Sequence, residues 1–180
     1  MNDLNKLDDF FVTSDTWFGR NNILYAANRI SQFSSIENMN NSLIKNWNKK
    51  VKKDDIVIHL GNFAWDPMIA SKVLDKLNGH IYFICSNDDA ALLKVAKNYN
   101  NVNIFSNQII VLSEHDTVLS HYPITVWPGK ETGTIHMHGH TVYSHKTNLK
   151  IENRINVCTD FWGFSPIKFS TIKEIINEND

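Results

Sequence analysis

The chain predicts a layered α/β fold, and three observations predict it. Short apolar runs of strand length alternate with amphipathic stretches of helical period. From about Val102 the pattern becomes strand after strand. Polar residues repeatedly follow the C-terminal ends of the strands: Asp15, Asn62, Asn87, His121, and the pair His138 and His140. In open α/β sheets that edge is where sites are built.

The elements follow in order. Phe10–Ser14 is an apolar run ending at Asp15. Ser34 and Glu37 match a capping box, with Met39, Leu43, Ile44, Trp47 and Val51 behind them at helical spacing, so a helix is expected to about Val51. The lysines of 49–53 suit its C-terminal end, where cations are favoured. Ile56–Leu60 reads as a buried strand. Pro67 suits the first turn of a helix reaching Leu77, with Gly79 as its C-terminal cap. Ile81–Cys85 is the next strand and Ala90–Lys97 a short helix. Strands follow at 109–112, 117–120, 133–138 and 155–157, and a second capping-box match, Thr171 to Glu174, is expected to open a terminal helix. No internal repeat or Pro/Gly-rich linker interrupts the chain, so one domain over 1–180 is expected.

Composition narrows the function classes. At 180 residues the chain buries enough surface to fold without a disulfide or metal staple. The formal charge of −1 argues against an electrostatic nucleic-acid binder, though not against a local basic patch. No run approaches a membrane span, and the acidic first residues do not read as a secretory signal. Cys85 and Cys158 sit singly in apolar runs, which fits a reducing cytoplasm. The abundance of Asn (23) and Ile (20), with only 3 Arg, reads as the coding bias of an AT-rich genome. Five of the eight histidines lie between His121 and His145, and that clustering calls for a local cause.

Five blocks carry a more specific signal. They are 14–20 (Ser-Asp-Thr-Trp-Phe-Gly-Arg), 55–63 (Asp-Ile-Val-Ile-His-Leu-Gly-Asn-Phe), 86–89 (Ser-Asn-Asp-Asp), 120–123 (Ser-His-Tyr-Pro) and 138–142 (His-Gly-His-Thr-Val). In order and spacing they resemble the calcineurin-like metallophosphoesterase superfamily, and within it the small bacterial and phage phosphoesterases. The resemblance implies two facing mixed β-sheets flanked by helices. It also implies two divalent metals about 3.5 Å apart, bridged by a carboxylate and a hydroxide. The family motifs are Asp-x-His, Gly-Asp, Gly-Asn-His-Asp/Glu, a lone His and Gly-His-x-His.

This chain departs from them at nearly every ionic position. Asp15, Asn87, His121 and His140 are kept. Trp17 replaces the first-motif His, Asn62 the bridging Asp, Asp88 the catalytic His and Val142 the final His. The residual metal ligands are therefore Asp15, Asn62, Asn87, His121 and His140. Amide oxygens are weak ligands, and Trp17 and Val142 supply no lone pair. The expectation is no metal, or one weakly bound Mn, Fe or Zn unless Asp88 or Asp89 swings in. Trp17 is expected to plug the first metal site. Arg20, where the related motif carries His, and Arg154 are candidates to bind an anion such as phosphate.

Blander readings stand beside these. The kept ligands can be a hydrogen-bonded polar floor, and Arg154 a structural arginine. Trp17, Trp65, Trp127 and Trp162 can be ordinary packing or an aromatic wall for a base. His136, His138 and His145 can be a His-rich metal site or strand residues sharing a face. Two functions are carried forward. In the first, a pseudoenzyme has kept the fold and binds a protein partner or a phosphorylated ligand; phage or mobile-element origin, with the host cytoplasm as its place, fits the coding bias. In the second, a live metal-dependent phosphoesterase or nuclease uses one metal or a rearranged site. The family's small members often self-associate, so a homo-oligomer is allowed.

Overall fold

The computed structural model describes residues 7–142 and 150–177. The elements are β1 (Phe11–Thr13), α1 (Ile23–Ala26), α2 (Ile36–Lys50), β2 (Ile56–His59), α3 (Pro67–Leu74), β3 (His80–Phe83), α4 (Ala90–Val95) and β4 (Val102–Ile104). Then come β5 (Ile109–Leu112), β6 (Thr117–Ser120), β7 (Ile135–His138), β8 (Lys150–Ile151), β9 (Arg154–Asn156), β10 (Ile167–Lys168) and α5 (Phe169–Asn177). They form two mixed five-stranded sheets, ordered β10-β1-β2-β3-β4 and β5-β6-β7-β9-β8. In the first sheet β1 to β4 run parallel, each pair joined through a helix, and β10 closes one edge antiparallel to β1. In the second, β6, β7 and β9 are parallel, with antiparallel β5 and β8 at the edges.

Side chains alternate along each strand, so each sheet presents two faces. Phe11, Val57, Ile81 and Phe83 point to a core shared with Met39, Leu43 and Trp47 of α2 and Ala70 and Val73 of α3. Val12, Ile58, Leu60 and Ile84 point the other way, against Leu119, Met137 and Ile155 of the second sheet. The sheets therefore face one another across that second core. Phe10 closes its end by stacking on Phe169 of α5, at 4.8 Å between ring centroids. No helix among the described residues is long and apolar enough to cross a membrane.

Several element boundaries differ from the sequence reading by a few residues, and three of them, at helix ends, have an identifiable cause. Helix α2 is capped by Ser35, not Ser34: Ser35 is extended, and its side chain accepts from the Asn38 amide. The box is shifted by one residue, and Glu37 contributes only as an acid in the first turn. Helix α3 stops at Leu74 and not at Leu77; Asp66 caps its start ahead of Pro67, and Gly79 serves the entry to β3. Helix α5 begins at Phe169 straight out of β10, ahead of Thr171. Its first turn is satisfied from far away, by the Asp9 carboxylate accepting from the Ser170 amide and hydroxyl.

Arg29 is the main long-range tie. It is buried, and its guanidinium makes a two-pronged contact with Asp160 at 2.8 and 2.7 Å. It also donates to the carbonyls of Asp15 and Thr16. Breaking a buried pair leaves one charge uncompensated. Arg29→Ala is expected to lower unfolding free energy by about 3–5 kcal/mol in urea titrations. By the same measurement Ser35→Ala costs about 1 kcal/mol, whereas Ser34→Ala leaves stability unchanged.

Candidate functional site

The ends of β1, β2, β3, β6 and β7 meet at one edge, and the loops leaving them carry the polar residues. Backbone turns there are sharp. Asp15, Trp17, Asn62 and His140 all hold positive φ, between 53° and 69°. Left-handed geometry is uncommon for non-glycine residues and costly for one as bulky as Trp. Four such residues at one strand edge mark a backbone held by its surroundings. Two glycines permit the crowding. A Cβ on Gly61 would sit 2.9 Å from the His121 ring and from the Ser86 amide, and one on Gly139 2.6 Å from the Asp15 carboxylate.

Asn62 is the centre of the floor. Its Nδ2 donates to Asp15 Oδ1 at 2.8 Å and lies 3.2 Å from His121 Nε2, and its Oδ1 accepts from Ser86 Oγ at 2.6 Å. His121 Nδ1 faces the Leu60 carbonyl and must donate to it, which leaves Nε2 as the lone pair that accepts from Asn62. Both amide hydrogens and the amide oxygen of Asn62 are thus used. Asp15 is fully buried; its other oxygen accepts from the His140 amide at 2.8 Å and from the Cys158 thiol at 2.9 Å. Burial alone would push the Asp15 carboxyl up. The polar groups packed on it, the donors Cys158 and Asn62 among them, outweigh that and hold it below the ordinary carboxylate value.

Asp89 satisfies the other half. One oxygen accepts from the Asn62 and Ser86 amides, with Ser86 Oγ sharing its single hydrogen between it and Asn62 Oδ1, and the other accepts from the Phe63 amide. It is fully buried, and three backbone amides hold its two oxygens. Asn87 and Asp88 are exposed at the rim, and Asp88 joins the network only through its amide, which donates to Ser86 Oγ. His140 is exposed, with its ring edge-to-face against His121 and Tyr122. Partial burial lowers its pKa.

Other expected residues fall outside this floor. Trp17 and Val142 are both buried in the apolar core that holds α2 and α3. Arg20 lies on the Trp17 ring, 3.9 Å from its centroid. Arg154 does not join the floor: it donates to the Ile124 carbonyl, on the face of the second sheet that carries His136 and His138. Those two histidines do share a face, with centroids 5.5 Å apart, but His136 Nε2 is taken by the Ile124 amide. His145 lies outside the described residues. Neither thiol is an activated nucleophile. Burial and the nearby Asp89 push Cys85 up to about 12, and burial with the Asp15 carboxylate pushes Cys158 well above its usual value. Cys85 lines a small apolar cavity of about 110 Å³ with His121 and Tyr122.

As a cation site, the floor offers one carboxylate, two amides and two imidazoles, with the Asp15, Asn62 and His121 atoms already engaged. Among the described residues no three His, Cys, Asp or Glu side chains are placed to hold a metal together. The donor set does not fit a two-metal centre.

No family model matches the chain. An uncharacterized protein of Methanocaldococcus jannaschii, MJ1445, is 31% identical over 175 residues, covering 93% of this chain and 91% of that one. The chain belongs to the same family. A solved structure of an Aquifex aeolicus protein of unknown function has the same fold, with a TM-score of 0.68 at 21% identity, covering 93% of this chain and 99% of that one.

Sequence reasoning missed two supporting residues within this family member. Arg29 fixes the carbonyls of the β1 loop, as described above. His59 is buried at the end of β2, where its Nδ1 accepts from the Gly61 amide and its Nε2 meets Thr16 Oγ1 at 3.0 Å. The Thr16 hydroxyl then donates to the Phe63 carbonyl. Burial holds His59, His136 and His138 down at about 4. Their ordinary value is about 6.5. Between those values the unfolded chain takes up protons that the folded chain refuses, so the contribution is complete above about pH 6.5 and is lost as pH falls toward 4. Melting temperature is expected to fall steadily across that window, with a shallower slope in His136→Gln. A flat profile would contradict the burial of these rings.

Proposed function

We propose that the chain is a metallophosphoesterase-like pseudoenzyme: it keeps the shape of the pocket, has lost two-metal hydrolysis, and works by binding a protein partner or a phosphorylated ligand. One observation carries the reading. Where the related motif places a carboxylate shared by two cations, Asn62 places an amide whose donors and acceptor are all matched. An amide carries no negative charge to share between cations, and its hydrogens here do for Asp15 and His121 what a cation would do. Trp17 and Val142, buried as apolar core, add no ligand in place of the family's histidines. The calcineurin-like assignment itself rests on the five sequence blocks, together with two mixed sheets whose strand ends converge where that family has its metals.

A second reading has one observation in its favour. His121 donates through Nδ1 to a backbone carbonyl, which is how metal-ligating histidines are commonly oriented. Rotation of Asn62 would free His121 Nε2 and Asp15 Oδ1 for one weakly held Mn, Fe or Zn, and so for a one-metal phosphoesterase.

Calorimetry with Mn²⁺ and Zn²⁺ on chelator-stripped protein, alongside an assay with bis(p-nitrophenyl) phosphate, separates the two. The proposal expects no saturable metal pair and no turnover. Two sites of micromolar affinity would overturn it, and one site with chelator-sensitive cleavage would establish the second reading. Asn62→Asp removes both donors from between Asp15 and His121 and sets two carboxylates against each other. It is expected to cost about 3 kcal/mol without metal, and added Mn²⁺ is expected to restore part of that loss. Combining it with Trp17→His, Asp88→His and Val142→His is expected to restore metal binding outright.

A further inference from the structure

At the mouth of the strand edge Arg20 is held in a way that a solvent-facing arginine is not. Its guanidinium lies between two indoles, 3.9 Å from the Trp17 centroid and 4.8 Å from that of Trp65. Its Nε donates to Asn22 Oδ1 at 3.0 Å, and its amide donates to the Trp17 carbonyl. The preceding turn is fixed in its own right, the Gly19 amide donating to Asn40 Oδ1. The plane and the stem are therefore set before any ligand arrives. Yet among the described residues no hydrogen bond and no acid engages either Nη. Arg29 makes the contrast: its fork is filled by Asp160 and two carbonyls. An open, pre-set guanidinium fork matches a planar or tetrahedral oxyanion in two-pronged fashion, and the ordering that binding usually costs has already been met.

The second indole adds a selector. Trp17 is 4% exposed, as a packing residue should be, but Trp65 is 54% exposed. One face of Trp65 lies under Arg20, and so large an exposure leaves the opposite face open to solvent. A bare indole face takes a flat ring, and stacking of a base on such a face is insensitive to which base it is.

We propose that Arg20 and Trp65 form a clasp for a nucleoside monophosphate, with the phosphate on the Arg20 fork and the base on the open face of Trp65. A nucleotide carries its phosphate one ribose away from its base, the reach needed to pass round the edge of an indole. The clasp lies outside the Asp15–Asn62 floor and involves no metal. It deepens the binding role proposed above and rests on it.

The test is calorimetry on the intact chain with three probes: AMP, inorganic phosphate and adenosine. The clasp requires AMP to bind at least about ten-fold more tightly than either half, because linked groups bind with a high effective concentration. Arg20→Lys keeps the charge and removes the fork. It is expected to weaken AMP and phosphate about ten-fold and leave adenosine alone. Trp65→Ala is expected to abolish adenosine binding and weaken AMP, and to weaken phosphate much less, because Trp17 and Asn22 still hold Arg20. Trp65→Leu, which keeps apolar bulk without an aromatic face, gives the same readout if the smaller side chain lowers the melting temperature. AMP no tighter than phosphate, wild-type AMP affinity in both variants, or no saturable AMP binding at millimolar concentration each overturns the clasp. Chelator-sensitive hydrolysis of bound AMP would instead overturn the pseudoenzyme reading and leave the clasp standing.

Discussion

A carboxylate taken out of water must be met by donors, and this chain buries two at one strand edge. Asp15 and Asp89 are both fully buried. The cost of leaving either unsatisfied would be a large fraction of a small protein's net stability. The loops after β1, β2, β3 and β7 are arranged to prevent that. Asp89 gathers amides from the loops after β2 and β3, and Asp15 gathers an amide after β7, a side-chain amide after β2 and a thiol before the last helix. Asn62 and Ser86 hold their positions at the edge by serving these carboxylates.

The two cores make that arrangement possible. Parallel strands crossing over through helices bring the ends of β1, β2 and β3 to the same side, and the apolar contact between the sheets brings β6 and β7 up against them. Arg29 then locks the first loop from behind by holding the Asp15 and Thr16 carbonyls. Its side chain thus sets main-chain geometry at a site it does not enter. Packing sets the edge, the edge sets the donors, and the donors make the floor polar yet closed.

Much of this was legible in the sequence, and the failures have a common cause. Strands β1, β2, β3, β5, β6 and β7 declared themselves because apolar runs end abruptly at polar residues. Strands β8 and β10 did not, because two residues carry no period. Asp15, Asn62, His121 and His140 were found at the strand ends and do come together. Asp89 was seen as a neighbour of Asp88, but its bonds reach back to Ser86 and into the loop after β2. Arg29 looks like a polar residue in a short surface helix, and its acid partner lies 131 residues away. The cap of α5 is supplied by Asp9, 161 residues from Ser170. Local rules found what local sequence determines; partners chosen by the tertiary fold have no local signature.

The positive φ values of Asp15, Trp17, Asn62 and His140 have a further consequence. The outline of the pocket is written in the main chain, whereas its chemistry lies in side chains. A contour held by backbone turns, glycine clearances and a buried arginine changes slowly, since altering it means remaking several loops together. Side chains on that contour change one codon at a time. The lineage is therefore free to gain or lose reactivity without insertions, deletions or a new fold. A change at Asn62 or His140 thus alters the charge of the pocket without redrawing its outline.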